Sequence, residues 1–196
     1  MLWQTTATVL QQLRDFDNRD AWETFAERFR APVVSFARQM GLEPSDAEDV
    51  AQETLLAFAE AYREGRYDPA KGRLSSFLFG IAYRQSLKAR RKGAGPGGAA
   101  VVQPGTGFWT EIPDEQTASG IWDTQWERTL LERCLQQVRA EFEPLTMKAF
   151  DLVVRQGQPP QQAAESLGIN LKSVYNAKHR ILKRIRELRE AFETDV

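Results

Sequence analysis

Cysteine, histidine and long apolar runs are what this chain is short of. Cys134 is its single cysteine, which excludes an intrachain disulfide and a thiolate metal cluster. His179 is its single histidine, so the ordinary zinc ligand sets cannot be assembled. No stretch approaches the roughly 20 apolar residues that span a bilayer. The N-terminus lacks a basic segment followed by an apolar run, so neither membrane insertion nor a signal peptide is expected. The net charge of −1 over 196 residues argues against a generic polybasic coat for nucleic acid. A cytoplasmic protein of one or two domains, without a zinc site, is expected.

The charge that is present is partitioned. Between Glu43 and Glu64 stand Asp46, Glu48, Asp49, Glu53 and Glu60, against Arg63 as the only base. Between Lys71 and Lys92 stand Arg73, Arg84, Lys88, Arg90 and Arg91, with no acid. Blocks of this kind suggest two partners, one cationic and one anionic.

The most informative stretch runs from Pro159 to Leu188. Ala163, Ala164 and Leu167 give a short helix its buried face. Gly168 falls where a left-handed turn residue is needed, and Asn170 can cap a second helix. Val174, Ala177, Ile181, Ile185 and Leu188 form the inner stripe of that longer helix. Its other faces carry Lys172, Lys178, His179, Arg180, Lys183, Arg184 and Arg186, and no acid lies between Asn170 and Arg186. A small residue at the helix crossing, a glycine four residues later and an apolar plug six residues beyond that are the signature of a helix-turn-helix. Such a motif offers the N-terminal half of its second helix to a major groove.

The rest of the chain also reads as helical. Met1 to Phe16 is weakly patterned, with Val9, Leu10 and Leu13 available for a short helix. Trp22, Phe25, Ala26 and Phe29 share a face, and Val33, Phe36, Ala37 and Met40 continue it past Pro32. Pro32 should kink this helix or begin a second one, and Gly41 should end it. Ser45 and Glu48 offer a capping box for a helix with Val50, Ala51, Thr54, Leu55, Phe58, Ala59 and Tyr62 inward. A loop from Tyr67 to Arg73 leads to a helix capped by Ser75 or Ser76. There Phe77, Phe79 and Tyr83 spread around the axis, so at least one ring should be exposed or on a groove wall. Rings beside an acid-free basic helix suit single-stranded nucleic acid, since bases stack while cations follow the phosphates. Residues 93–123 are rich in Gly and Pro, their charges are all acidic, and they read as an extended linker. Phe108, Trp109, Ile112, Ile121 and Trp122 in it are apolar enough to dock, either on this chain or on a partner. Thr124 and Glu127 offer a further capping box. Met147, Phe150 and Val154 should face inward from a helix ending near Gly157.

The whole order resembles the extracytoplasmic-function sigma factors of bacterial RNA polymerase. Three matches carry the resemblance: Asp46 to Thr54, the loop Tyr67 to Arg73 with the helix Phe77 to Ala82, and the C-terminal helix-turn-helix. It implies an all-α fold of two small helical domains joined by a Gly/Pro-rich acidic linker. Residues 1–92 would form domain 2, 93–123 the linker and 124–196 domain 4. Asp46, Asp49, Gln52 and Glu53 would bind the clamp helices of the beta-prime subunit of core polymerase. Lys71, Arg73, Leu74, Ser75, Ser76, Phe77, Tyr83, Arg84, Lys88 and Arg91 would bind and melt the −10 promoter element, with a flipped base held near Arg73 to Ser76. Asn170, Lys172, Ser173, Tyr175, Asn176, Lys178, His179, Arg180, Lys183 and Arg184 would read the −35 element. The partners implied are core polymerase, promoter DNA in duplex and single-stranded form, and an anti-sigma factor; no catalytic residue, metal or cofactor is implied, because the polymerase supplies the chemistry. Phe77 departs from the family, which usually has Trp there. Two rivals explain less. A helix-turn-helix regulator acting without core polymerase leaves the acidic helix idle. A helical nuclease could gather Asp46, Asp49 and Glu53 around a metal but has no histidine base beside them. The Gly-rich run after Lys92 lacks the Lys-Ser/Thr ending of a phosphate loop.

Overall fold

The structure is a computed structural model that describes residues 6–93 and 113–193. Among these residues every regular element is helical, as the apolar periodicity requires. The described residues fall into two compact units, one lying within Thr6–Thr129 and the other within Leu130–Asp195. Phe108, Trp109 and Ile112 lie outside the described residues.

In the first unit α1 (Thr6–Gln12) and α2 (Arg19–Gln39) are followed by α3 (Pro44–Arg63) and α4 (Leu74–Gly93). The first fifteen residues of α5 (Glu115–Glu141) complete it. Asn18 starts α2, its side chain accepting from the Ala21 amide at 3.0 Å. Gly41, at φ +83°, follows its last turn. Pro32 begins no second helix; α2 runs through it, with Pro32 buried. A mid-helix proline costs ~3 kcal/mol. Phe25, Phe29, Val33 and Phe36, at most 1 % exposed, hold the helix together on both sides of it. Phe25 stacks on Phe58 of α3 with centroids 4.6 Å apart. Val9, Leu10 and Leu13 bury α1, and the Tyr62 hydroxyl donates to the Leu10 carbonyl at 2.6 Å.

Two expected capping boxes do not form. α3 starts at Pro44, before Ser45, because proline at the first helical position has its φ preset and lacks the amide that would need a cap. Glu48 pairs instead with Arg30 at 2.6 Å. Thr124 lies inside α5, where its hydroxyl donates to the Gly120 carbonyl at 2.9 Å. Residues 115–123, extended by the composition argument, are instead the first turns of that helix. Asp114 Oδ1 accepts from the Thr117 amide at 2.8 Å, and this bond holds its carboxyl below the usual range. The anchor is Trp122, 1 % exposed, with Phe36 and Phe79 against its ring.

The second unit holds the end of α5 with α6 (Pro144–Phe150), α7 (Pro160–Leu167) and α8 (Leu171–Glu193). A π-helical turn, Asp151–Arg155, follows α6. Its wider winding corrects the expected inner face: Met147 and Phe150 are buried, but Val154 is 39 % exposed. Leu152 and Val153 pack instead on the cluster of Ala163, Ala164 and Val174.

Candidate functional site

Three surfaces bear on function, each built within one unit. The first is the outer face of α3. Asp46, Asp49, Gln52 and Glu53 are all exposed or partly exposed on it. Asp46, Asp49, Glu53, Leu56 and Glu60 recur at spacings of three and four, so they form one stripe. Leu56 is 58 % exposed within it. Beside the stripe, Trp22, Phe25 and Ala26 of α2 face Leu55, Leu56 and Ala59 of α3 across an open groove of about 500 Å³. Arg30, Glu48, Asp49 and Gln52 also line it. Among the described residues no three His, Cys, Asp or Glu side chains are gathered where a metal ion could sit.

The second surface is the loop before α4 and the start of that helix. Asp68 caps a 3-10 turn, Pro69–Lys71, by accepting from the Ala70 amide at 3.0 Å. Lys71, Arg73 and Ser76 are exposed on it. Leu74 is buried, so it ties the helix to the core. Ser75 Oγ accepts from Trp122 Nε1 at 2.9 Å. None of the three rings is fully exposed. Phe77 is half-buried 5.1 Å from the Tyr67 ring. Phe79 and Tyr83 stack at 5.7 Å, and the Tyr83 hydroxyl donates to the Pro113 carbonyl at 3.1 Å. Burial, with help from Tyr62 and Asp68, pushes the Tyr67 phenol up to about 12. Arg84, Lys88 and Arg91 project from α4 into solvent, and Lys88 meets Glu53 at 3.2 Å. Arg90 differs from its basic neighbours: its guanidinium donates to the Met40 carbonyl at the end of α2.

The third surface is α7, its turn and α8. Gly168 has φ +65° and ψ 30°, the left-handed conformation expected of it. Asn170 Oδ1 accepts from the Ser173 amide at 2.7 Å, which is the expected cap. Ala163, Ala164, Val174, Ala177, Ile181 and Leu188 are buried. The opposite side of α8 presents Lys172, Tyr175, Asn176, Lys178 and His179 to solvent. Arg180 lies over the Phe142 ring, 5.3 Å from its centroid. Lys183 lies 3.9 Å from Glu187 and remains largely open to solvent. Arg184 is engaged elsewhere, with Nε and Nη2 donating to Glu141 at 2.7 and 3.0 Å.

Residues 25–95, which carry the first two surfaces, match the family model of sigma-70 region 2. Over 182 residues the chain is 25 % identical to the ECF RNA polymerase sigma factor RpoE of Cereibacter sphaeroides, a match covering 91 % of this chain and 92 % of that protein. Both matches support a sigma factor of the extracytoplasmic-function type. No solved structure matches the chain.

Sigma factors are non-enzymatic transcription initiation factors, which accords with the expectation of no catalytic residue in this chain. Sequence reasoning missed two features of these surfaces. Leu56 was in phase with Asp49 and Glu53, seven and three residues on, so periodicity could have found it. Glu141 stands 43 residues from Arg184, and no local pattern links them.

Proposed function

We propose that this protein is a sigma factor, a dissociable promoter-specificity subunit that brings core RNA polymerase to DNA and assists melting. The supporting observation is the pairing in one chain of an exposed acidic stripe, inside the stretch matching sigma-70 region 2, with a helix-turn-helix whose outer side is basic. In this reading Asp46, Asp49, Gln52 and Glu53 meet the basic clamp helices of the beta-prime subunit. Leu56 and the groove beside it add an apolar centre to a polar rim, the usual anatomy of an interface.

Lys71, Arg73, Arg84, Lys88 and Arg91 follow the phosphates of the −10 element. The loop from Arg73 to Ser76 receives a base flipped from the stack, with Phe77 and Tyr83 as stacking surfaces. Capture of flipped bases offsets the few kcal/mol that each unstacked step costs. The N-terminal half of α8 enters the major groove at the −35 element. There Asn176 suits adenine, and Lys172 or Lys178 suits guanine or phosphate. Neither element need be bound tightly, because one chain presents both and the second contact forms at high effective concentration. The protein acts in the cytoplasm and is open to an anti-sigma factor.

Run-off transcription with core polymerase on a library of promoter fragments tests the proposal. Products that depend on the protein and start at defined sites are expected. Tight duplex binding by the protein alone, without any such product, would point to a regulator that acts without core polymerase.

A further inference from the structure

We infer that Arg184 is a positioning residue, which sets the angle of α8 through Glu141 rather than touching DNA itself. The inference rests on the proposed −35 role of α8. Several contacts fix the guanidinium. Nε and Nη2 form a two-pronged bond to the Glu141 carboxylate at 2.7 and 3.0 Å, and Nη1 reaches Glu187 at 3.3 Å. Glu141 is itself held from the other side, its Oε1 accepting from Gln137 Nε2 at 2.9 Å. The carboxylate therefore receives three donors, and it titrates below the usual range chiefly because of Arg184. A planar fork matched to a carboxylate fixes direction as well as distance, which a lysine in its place would not do.

Placement makes this bond mechanical. Glu141 is the last residue of α5, and Phe142 comes directly after it. Arg184 grips the first, while Arg180, one turn earlier on α8, covers the second. Two consecutive turns of α8 are thus pinned to one corner of their own unit. The expected base-reading residues lie further toward the N-terminus of the helix. Lys172 is twelve residues from Arg184, about 18 Å along a helix that rises ~1.5 Å per residue. A tilt of about 5° at the pin would move that end by about 1.5 Å, more than a base-edge hydrogen bond tolerates. Arg184 and Glu141 remain partly exposed, so breaking their pair should leave the unit folded.

The test compares Arg184→Ala, Glu141→Ala, their double variant and Lys178→Ala in the full chain assembled with core polymerase. Promoter-duplex affinity is measured over a series of salt concentrations, and thermal melting verifies folding. Arg184→Ala and Glu141→Ala should each weaken binding about fivefold, and the double variant no further. Neither should change the salt dependence, whereas Lys178→Ala should lower its slope by about 0.9. Exchanging the charges, Arg184→Glu with Glu141→Arg, should restore much of the lost affinity. A lower salt slope for Arg184→Ala, with Glu141→Ala binding as well as the unaltered protein, would overturn the inference and make Arg184 a phosphate contact. Should Lys178→Ala and all the other variants bind DNA normally, the −35 reading falls and the positioning role falls with it.

Discussion

The indole N–H of Trp122 donates to Ser75 Oγ at 2.9 Å, joining the start of α5 to the first turn of α4. The bond sits on an aromatic ladder in which Trp126 stacks on Phe29 and on Trp122, and Trp122 meets Phe36 and Phe79. Trp122→Ala should destabilise the first unit by about 3–5 kcal/mol, the usual cost of emptying a large aromatic site. Ser75→Ala, which leaves a buried donor unpaired, should cost about 1–3 kcal/mol. Denaturant unfolding followed by tryptophan fluorescence measures both. A Trp122→Ala protein as stable as the parent would show that this ladder is not part of the core.

Leu56 gives a prediction about partner binding without a stability cost. Being 58 % exposed, it should tolerate Leu56→Asp with less than about 0.5 kcal/mol change in stability. The same change should weaken binding to core polymerase by about tenfold or more, as expected for an apolar anchor ringed by charge. Asp49→Arg should weaken it too, by setting like charges against each other. Affinity for fluorescently labelled core enzyme, with melting curves as control, checks the pair. Undiminished affinity for both variants would place the interface elsewhere.

The turn before α8 is a backbone requirement rather than a steric one. Nothing lies within 4 Å of where a side chain on Gly168 would begin, yet its φ is +65°. Gly168→Ala should therefore cost about 1–2 kcal/mol from conformation alone. Asn170→Ala should cost about 1 kcal/mol through loss of the cap on Ser173. Thermal unfolding of single and double variants measures each.

Tyr67 should make the protein sensitive to alkali. Its folded pKa, about 12 against an ordinary 10.0, means that the folded state holds the phenolic proton more tightly than the unfolded chain does. The associated stability is fully present below pH about 10 and is lost as pH rises toward 12. Denaturation midpoints across that window should fall, and Tyr67→Phe should flatten the fall. An unaltered slope in Tyr67→Phe would assign the alkaline loss to other groups.

Features set by neighbours in the chain were legible beforehand. Gly168, Asn170 and the stripe from Val174 to Leu188 could be placed because turn chemistry and helical period act over a few residues. Element starts were harder. Pro44 displaced the Ser45 cap by presetting the first turn, and α5 began at Glu115 because burial of Trp122 extends the helix beyond what its Thr124 suggested. A π turn after Phe150 put Val154 outside, since one wider turn breaks the period on which the inner-face reading relied.

The sequence by itself determined the all-α class, the charge blocks, the helix-turn-helix and the family resemblance. Each of these is written in spacing or in composition. Tertiary structure alone decided which basic side chains stay available to a partner. Lys172 and Lys178 face solvent, while Arg184 grips Glu141 and Arg90 ties down the end of α2. All four look alike on a basic helix. What separates them is whether an acceptor distant in the chain is folded into reach, because a guanidinium held by a fixed carboxylate or carbonyl is no longer free to follow a phosphate.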